Sequence, residues 1–263
     1  MNEQPDKHIE SVTLVLPAYN ESKAIGALVK RAAGVLAGLR PGWAIIVVDD
    51  GSADDTAAQV EALAAGDPHV RLVRHGVNKG LGTALVTGMM SAIESSAAPD
   101  HLVVFMDADL THPPETIAEM IAAAEAGADL VIASRFQPGS EQHGVPPFRQ
   151  LMSWGARHMF RQLLRLPGVH DYTCGFRGFR ASLIEAGLER FGKDGLVTRK
   201  GFACTDELLV HLSMLGPKIQ EVPFILRYDL KPSPSKMKLG ATIMETLKVM
   251  IEHRRRLREA GRK

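Results

Sequence analysis

The sequence has few cysteines, few aromatic residues and no large charge imbalance. Its 263 residues include two cysteines and 5% aromatics, and the formal net charge is +1. Two cysteines are too few for a disulfide framework or a zinc site, so we interpret Cys174 and Cys204 as reduced thiols. The near-neutral charge gives no reason to expect a nucleic acid partner. With 45% hydrophobic residues, the composition is that of an ordinary globular protein.

Long apolar runs are also absent. No window reaches the roughly 18 consecutive apolar residues that a membrane-spanning helix needs. The first eight residues are polar and mixed in charge, unlike a signal peptide. We therefore expect a cytoplasmic protein that does not cross a membrane. Its last ten residues nevertheless hold five arginines and one lysine against Glu259, so the end of the chain is locally basic.

Short apolar segments alternate with longer helical patterns along the first half of the chain. Strands are predicted at residues 12–16, 44–48, 70–73, 102–106 and 130–133. Helices are predicted at residues 25–39, 54–65, 81–94 and 113–126. Parallel strands need a crossover connection, and a helix supplies it. The alternation therefore predicts an α/β fold in which helices cover both faces of a mostly parallel sheet.

Two irregular stretches interrupt the second half of the chain. Residues 137–147 are rich in proline and glycine, and we expect a mobile loop there that crosses the site. Residues 231–238 form a second irregular stretch, which precedes a final amphipathic helix predicted from about 240 to 257.

Several conspicuous side chains receive ordinary structural interpretations. A cluster in the helix predicted from about 148 to 166 is interpreted as core packing. Its members are Met152, Trp154, Met159 and Phe160. Three histidines lack the spacing of a metal site and are interpreted as surface or loop residues. They are His112, His143 and His170.

Acidic residues follow the predicted strands, where ligands of parallel sheets bind. Asp107 and Asp109 leave the strand at 102–106 two positions apart, and in an extended chain such side chains point to the same side. Two adjacent carboxylates favour a hard cation such as Mg²⁺ or Mn²⁺, especially when substrate phosphates complete its ligand shell. The alternative is a helix N-cap before the prolines at 113 and 114.

Two further segments at this predicted edge carry candidate ligand-binding groups. Asp49 and Asp50 are adjacent and face opposite ways, so one of them reaches a ligand readily, and we favour Asp50. The alternative is a turn and a helix cap. Lys79 and Gly80 begin a helix whose backbone amides are suited to an anion or a sugar hydroxyl, with a simple strand-to-helix turn as the alternative.

Six motifs occur in the order found in glycosyltransferase family 2, and the chain resembles its polyprenol-phosphate (dolichol-phosphate) mannosyltransferase branch over residues 13–238. The motifs are PAYNE at 17–21, VDDGS at 48–52, KGLG at 79–82, DADL at 107–110, ASRF at 133–136 and DYTCGFR at 171–177. The resemblance implies a GT-A (Rossmann-like) fold that binds a nucleotide-sugar. It also implies one catalytic domain at 11–230, with a nucleotide-sugar half at 11–135 and an acceptor half at 136–230. A flexible N-terminus at 1–10 and a basic loop with an amphipathic helix at 231–263 complete the predicted organisation.

The resemblance also implies roles for individual residues. Those expected around the nucleobase and ribose are Pro17, Tyr19, Glu21 and Asp50. Asp107 and Asp109 would hold a divalent metal and the diphosphate. Those expected to bind phosphate are Arg135, Arg227 and Lys236, because guanidinium groups match phosphate oxygens and a lysine ammonium adds positive charge. The chain departs from the branch at 232–234, where PSP replaces the usual glycine before Ser-Lys, and this departure affects the assignment of Lys236.

The segment GFACTDE at 201–207 occupies the position of an acceptor-site motif in the wider family. Asp206 or Glu207 is therefore a candidate general base, and the alternative is an acidic first turn of a helix. A lipid phosphate acceptor barely needs a base, because its second pKa is about 6 and it is already largely ionised.

The resemblance favours an inverting, metal-dependent glycosyltransferase that moves mannose from GDP-mannose to a polyprenol phosphate. Alternatives are a UDP-sugar donor with a different acceptor, a nucleotidyltransferase, and a non-catalytic nucleotide-sugar sensor. The tail adds a membrane hypothesis, because an apolar stripe precedes the terminal arginines. The stripe consists of Ile243, Leu247, Met250 and Ile251. We expect a peripheral contact with the cytoplasmic face of the membrane, and the alternative is a helix packed on the domain.

Overall fold

The computed structural model describes residues 8–39, 42–96, 98, 100–233 and 239–260. The strands of this part are β1 (Ser11–Ala18), β2 (Trp43–Asp49), β3 (Val70–Arg74), β4 (His101–Phe105), β5 (Leu130–Ser134), β6 (Glu141–His143), β7 (Arg177–Arg180), β8 (Ile219–Pro223) and β9 (Ile225–Arg227). The helices are α1 (Ile25–Leu39), α2 (Thr56–Gly66), α3 (Leu81–Glu94), α4 (Ile117–Glu125), α5 (Pro147–Leu164), α6 (Ala181–Phe191), α7 (Lys193–Leu196), α8 (Ala203–Ser213) and α9 (Leu239–Ala260).

A seven-stranded sheet in the order β3-β2-β1-β4-β7-β5-β8 forms the centre of the fold. Its neighbouring strands pair in parallel except at β7, which is antiparallel to both β4 and β5. β6 and β9 form a separate parallel pair. The predicted α/β fold with a mostly parallel sheet is confirmed, and each of the five predicted strands lies within one residue of, or inside, an observed strand.

The apolar strands supply a continuous core. All five residues of β4 and of β5 are buried, as expected for parallel strands covered on both faces. Gly88 lets α3 approach the sheet closely, because a Cβ built on it would lie 2.3 Å from Cγ1 of Val15. The helix predicted at 81–94 is observed with the same bounds.

Strand β7 was not predicted from the sequence, because two of its four residues are arginines. Both are buried, and their guanidinium groups bind oxygens of neighbouring segments. Arg180 donates to the carbonyl oxygens of Ala124 and Ala128 and to Asp100. Buried charged side chains need hydrogen-bond partners inside the fold, and here they have them. Such a strand lacks the run of apolar residues by which a buried strand is recognised in a sequence.

The segment 137–147 differs from the loop predicted there. Residues Glu141–His143 form β6, which pairs with Ile225–Arg227, so part of the expected loop is held by a strand ladder. The neighbouring helix α5 also differs from expectation. Phe160 is buried, but Trp154 is 54% exposed, so the interpretation of Trp154 as core packing is wrong.

The final helix α9 packs on α5 and α8. Val249 and Met250 are buried there, whereas Ile243 is exposed and Ile251 is 67% exposed. The predicted single apolar stripe is therefore divided between a face packed on the domain and a face open to solvent. No helix in the described part of the chain has the length and apolarity needed to cross a membrane. Cys174 and Cys204 are free and buried, as expected for reduced thiols.

Candidate active site

Asp107 and Asp109 lie beyond the carboxyl end of β4. The chain bends over residues 108–110 and Leu110 has a φ of 66°, so the extended geometry expected for this pair is not observed. The two carboxylates nevertheless lie close enough to interact. Burial, together with the charge of Asp109, raises the pKa of Asp107. Each carboxylate therefore disfavours the ionisation of the other unless a cation lies nearby.

Lys231 supplies a cation at this position. Its Nζ hydrogen-bonds to Oδ2 of Asp109, while Thr111 donates to Oδ1 through its hydroxyl at 2.6 Å and its amide at 3.2 Å. Against the effect of burial, the Lys231 ammonium holds the pKa of Asp109 below its usual range. The charges of Asp109, Asp107 and Glu21 raise the pKa of Lys231 although burial opposes them. Glu21, beyond β1, therefore belongs to the same electrostatic site.

The donor set fits the divalent cation implied by the sequence. Within the described residues, no three His, Cys, Asp or Glu side chains are grouped as a complete metal site. Asp107 and Asp109 instead offer two carboxylates next to a cation of the chain itself. One or two carboxylates with substrate phosphates are the usual ligands of Mg²⁺. These residues therefore suit a cation that is shared with a diphosphate.

His112 lies against the carboxylate site, in the loop after β4, so of its predicted surface or loop position only the surface part is wrong. Its side chain is buried and stacks on Phe176, with ring centroids 5.2 Å apart. Its Nδ1 lies 3.3 Å from the backbone amide of Asp107, which donates to it. His112 thus links the loop after β4 to the motif at 171–177. The side chains of His143 and His170 keep 48% and 40% of their surface exposed, which agrees with surface positions.

Arg135 follows β5 and is bound by Asp171. Its Nε and Nη2 donate to the two oxygens of the Asp171 carboxylate at 2.8 and 2.6 Å, and Nη2 also donates to Thr173 at 2.7 Å. Against the effect of burial, the Arg135 charge holds the pKa of Asp171 below its usual range. Two of the three guanidinium nitrogens are thus engaged by the chain. A role of Arg135 in binding phosphate stays a prediction.

The buried Arg177 ties this motif to the acceptor-site segment. Its Nη2 donates to the carbonyl oxygen of Tyr172 and its Nη1 to that of Thr205, each at 2.5 Å. A Cβ built on Gly175 would lie 3.6 Å from Oδ1 of Asp107 and 3.8 Å from Cγ2 of Thr205. The Asp107 carboxylate, the 171–177 motif and the start of α8 therefore meet in one place.

Asp206 and Glu207 are both buried in α8, but their environments differ. Burial raises the pKa of Asp206 to about 7, and Thr246 donates to its Oδ2 at 2.7 Å. Glu207 accepts the amides of Thr198 and Arg199 at 2.7 and 2.9 Å, and also the Thr198 hydroxyl. Glu207 therefore holds the segment that precedes α8. The general-base role of either residue stays a prediction.

Both oxygens of the Asp50 carboxylate accept hydrogen bonds from backbone amides of this chain. The amides of Lys79 and Gly80 donate to it at 2.9 and 2.8 Å, and Nδ1 of His75 lies 2.7 Å from Oδ1. Asp50 thus fixes the turn into α3, in which Gly80 has a φ of 95°. A Cβ on Gly80 would lie 2.7 Å from the carbonyl oxygen of Lys200. Gly80 therefore allows the turn to lie close to Lys200 of this chain.

The motif at 17–21 is joined to the loop after β2. The amide of Asn20 donates to Ser52 at 2.9 Å, and that of Glu21 donates to Thr56 at 2.8 Å. Pro17 is half-buried at the end of β1, and Tyr19 is exposed. The predicted nucleotide-binding residues thus lie at one edge of the sheet, and their contacts with a nucleotide stay predictions.

The last two phosphate candidates lie near the end of the catalytic region. Arg227 ends β9, where its amide donates to the carbonyl oxygen of Thr111 at 2.9 Å and its Nη2 to Asp229 at 2.7 Å. Arg227 is thereby linked to the loop that carries Asp109. Lys236 lies outside the described residues. The roles of both residues stay predictions.

Four residues that shape this site had no role predicted from the sequence. They are His75, Asp171, Arg177 and Lys231. Asp171 and Arg177 lie inside a quoted motif, so their charges were visible, but their partners are distant in sequence. Lys231 lies in a segment that was interpreted as an irregular basic loop, in which Lys236 was the residue given a role. A positive charge near two carboxylates in space leaves no signal in sequence spacing.

Comparisons with known proteins agree with this geometry. The sequence model of Glycosyl transferase family 2 matches residues 13–188. The dolichol-phosphate mannosyltransferase of Pyrococcus furiosus is 34% identical over 90% of this chain, which spans 62% of that relative's length. The polyprenol monophosphomannose synthase of Mycolicibacterium smegmatis is 36% identical, with 89% of this chain and 83% of the relative covered. The undecaprenyl-phosphate mannosyltransferase of Micrococcus luteus is 31% identical, with 87% and 88% covered.

One solved structure extends the comparison to the fold. Glucosyl-3-phosphoglycerate synthase from Mycobacterium tuberculosis, in complex with Mn²⁺, UDP and glucosyl-3-phosphoglycerate, matches with a TM-score of 0.68. The match covers 93% of this chain and 80% of that chain, at 22% identity. At this identity the likeness shows a shared fold.

Proposed function

Because this chain belongs to glycosyltransferase family 2 and has the GT-A fold, we propose that it is an inverting glycosyltransferase acting on a lipid phosphate. The preferred reaction moves mannose from GDP-mannose to a polyprenol phosphate. The observation that carries the proposal is the Asp107 and Asp109 pair beyond β4, with Lys231 and Arg135 nearby. Relatives named for the same kind of reaction support it.

The proposed mechanism is a single in-line displacement. A phosphate oxygen of the acceptor attacks the anomeric carbon, and the bond from that carbon to the nucleoside diphosphate breaks with inversion. The acceptor phosphate is largely ionised near neutral pH, since its second pKa is about 6. No proton has to be removed by the protein. This agrees with the buried and hydrogen-bonded state of Asp206 and Glu207.

Asp107 and Asp109 are the residues that would hold Mg²⁺ or Mn²⁺. When bound, the cation supplies Lewis-acid stabilisation of the departing diphosphate. Lys231 binds Asp109 and adds positive charge on the same side, where charge develops on the leaving group. Arg135 is oriented by Asp171, and its Nη1 makes no hydrogen bond within the described part of the chain. Positioning and fixed charge are the main contributions of this chain.

A contact with the membrane surface is part of the proposal. Phe148, Leu151 and Trp154 are exposed on α5, and Met244 and Ile251 are exposed on α9, which packs on α5. Two adjacent helices therefore present large apolar side chains to solvent. Such faces, when flanked by basic residues, bind the headgroup region of anionic membranes.

The basic end of α9 supports the same contact. Arg254 is exposed, and the side chains of Arg255, Arg256 and Arg258 lie outside the described residues. Each basic residue near an anionic surface contributes about 1 kcal/mol of attraction. We place the protein at the cytoplasmic face of the membrane, where it would meet a lipid acceptor.

Thermal shift with a panel of nucleotide-sugars and Mn²⁺ tests the donor site. A ligand at 100 times its Kd adds about 2.7 kcal/mol of stability. GDP-mannose should raise the melting temperature more than UDP-sugars, and Asp109→Asn should reduce the rise. If UDP-sugars gave the larger shift, the alternative donor would be correct. An equal shift with nucleoside triphosphates would favour a nucleotidyltransferase.

Removal of residues 254–263 tests the membrane contact. The truncated protein should bind anionic liposomes less and turn over a long-chain lipid acceptor more slowly, while a short water-soluble analogue is used as before. Equal losses on both acceptors, or unaltered liposome binding, would show that the tail has only a structural role.

A further inference from the structure

The second half of α5 lines a cavity of about 590 Å³ outside the carboxylate site. No residue assigned above to the donor site or to catalysis lines it, and its described lining contains no aspartate or glutamate. The lining includes His158, Arg161, Arg165, Val169, His170 and Tyr172. The cavity thus combines basic groups with apolar ones.

Arg161 and Arg165 lie in the last turn of α5 and directly after it. Within the described residues neither guanidinium makes a hydrogen bond or an ion pair with another side chain. Both side chains are exposed, and six other described arginines form ion pairs with carboxylates, among them Arg135 with Asp171 and Arg180 with Asp100. The carbonyl end of a helix offsets a positive charge only slightly. Two exposed guanidinium groups without an ion-pair partner at one cavity are available to an anionic ligand.

One face of α5 runs from the proposed membrane contact into this cavity. Side chains on this face recur three or four positions apart, which is the spacing of one helix face. They are Phe148, Leu151, Trp154, His158 and Arg161, and Arg165 follows directly after the helix. The first three are exposed and apolar, and the last three are basic. His158 joins the two halves, because its ring centroid lies 4.1 Å from that of Trp154.

We propose that this cavity binds the phosphate of an anionic phospholipid headgroup, a site separate from the one that takes the reacting acceptor. The proposal rests on the proposed membrane contact of α5. Guanidinium groups bind phosphate oxygens through paired N–H donors. Val169 and the ring of Tyr172, which stacks on Phe160, supply apolar walls for the adjoining glycerol carbons.

One carboxylate, that of Glu221, lies near the cavity and is bound by groups of the chain. Glu221 accepts the amides of His170 and Asp171 at 2.5 and 2.7 Å and is not among the lining residues. Its second oxygen accepts from Gln137 at 2.8 Å and lies 3.2 Å from Nδ1 of His170. The negative charge of Glu221 is thus compensated by the chain.

The cavity also lies next to the proposed catalytic site, because Tyr172 and Asp171 are adjacent in the sequence. Tyr172, in the wall of the cavity, follows Asp171, which binds Arg135. An occupied headgroup site would hold α5 against the membrane beside this pair. The bound lipid would thereby orient the catalytic edge towards the surface that carries the acceptor.

Fluorescence of Trp154 provides a direct test. The chain has two tryptophans, so Trp43→Phe leaves Trp154 as the single reporter beside His158. Dihexanoyl phosphatidic acid, titrated below its critical micelle concentration, should change this fluorescence in a saturable way. Arg161→Gln combined with Arg165→Gln should weaken binding about tenfold or more, because charge-assisted hydrogen bonds are lost. The matched control, Arg71→Gln with Arg190→Gln, removes the same charge at exposed positions elsewhere and should leave binding unchanged.

Three outcomes would overturn the proposal. The first is no saturable change, and the second is equal loss of binding in both double variants. The third is that inorganic phosphate binds as tightly as the lipid, which would assign the site to a free anion. Sugar transfer to a water-soluble acceptor, measured in parallel, keeps the two proposals distinct. Headgroup binding without transfer would remove the proposed function, and transfer without headgroup binding would remove only this site.

Discussion

The Arg135 guanidinium forms a bidentate ion pair with the buried carboxylate of Asp171, with N–O distances of 2.8 and 2.6 Å. The Asp171 side chain is fully buried, whereas that of Arg135 keeps 16% of its surface exposed. Asp171 therefore holds the Arg135 side chain in one orientation, while part of that side chain stays exposed. In the proposed reaction, a side chain that is already held in one orientation would lose little conformational entropy on binding the phosphate that gains charge.

Arg135→Lys should lower kcat/KM about tenfold or more while the protein stays folded. Lysine keeps the charge but cannot make both hydrogen bonds to Asp171, so the cation is no longer held in one orientation. Steady-state kinetics and urea unfolding measure the two effects separately. Arg31→Lys is the matched control, because Arg31 makes a similar two-point pair with Glu115 on the exposed side of α1. Equal kcat/KM in both variants would contradict the role of Arg135.

Asp109→Asn should reduce turnover at least about 100-fold, the usual scale for removing one electrostatic contact to a developing charge. It should also weaken Mn²⁺ binding, which electron paramagnetic resonance measures without turnover. Asp194→Asn, at an exposed position on α7, serves as the control. Nearly wild-type activity of Asp109→Asn, or full activity with excess chelator, would remove the metal-dependent mechanism.

The strands and the carboxylate positions could be predicted from sequence because they depend on local pattern. β4 and β5 are unbroken apolar runs, and Asp107 follows such a run directly. Contacts between distant residues leave no such pattern. Asp171 lies 36 residues from Arg135, and Lys231 lies 122 residues from Asp109. Only the fold brings these charges together.

The last helix illustrates a different limit of prediction. Its apolar residues were correctly recognised, but periodicity does not say which of them the domain covers. Met250 is buried against the domain and Ile251 is exposed, although they are adjacent. The choice depends on where α5 and α8 leave a groove, and that is a property of the tertiary structure.

Asp206 should make the protein less stable as the pH rises from about 4 to about 7. Burial raises its pKa in the folded state to about 7, against about 4 in the unfolded chain. In that interval the folded state keeps a proton that the unfolded state has lost, so the free energy of unfolding falls by up to a few kcal/mol.

Urea unfolding of wild type and Asp206→Asn at pH 5 and pH 8 checks this effect. The wild type should lose more stability than the variant between the two values, because asparagine does not titrate. Asparagine also keeps an oxygen that can accept the Thr246 hydroxyl. Parallel pH profiles of the two proteins would contradict the raised pKa.

Gly82→Ala should destabilise the fold by about 1–3 kcal/mol, as overpacking usually does. A Cβ at this position in α3 would lie 1.9 Å from the carbonyl oxygen of Arg199. The segment held by Glu207 would have to move. Gly34→Ala is the control, since nothing lies within 4 Å of its Cβ position on α1. There alanine should stabilise the helix by about 0.5–1 kcal/mol. A similar effect at both positions in chemical denaturation would refute the close approach.

The most direct test of the central claim follows the anomeric carbon during turnover. The protein would be incubated with Mn²⁺, ¹³C-labelled GDP-mannose and a short polyprenol phosphate, and the products monitored by nuclear magnetic resonance. We expect acceptor-dependent release of one GDP for each mannose transferred, with the anomeric configuration of the product opposite to that of the donor. Retained configuration, release of pyrophosphate, or no transfer to phosphate from GDP-mannose or from UDP-sugars would contradict it.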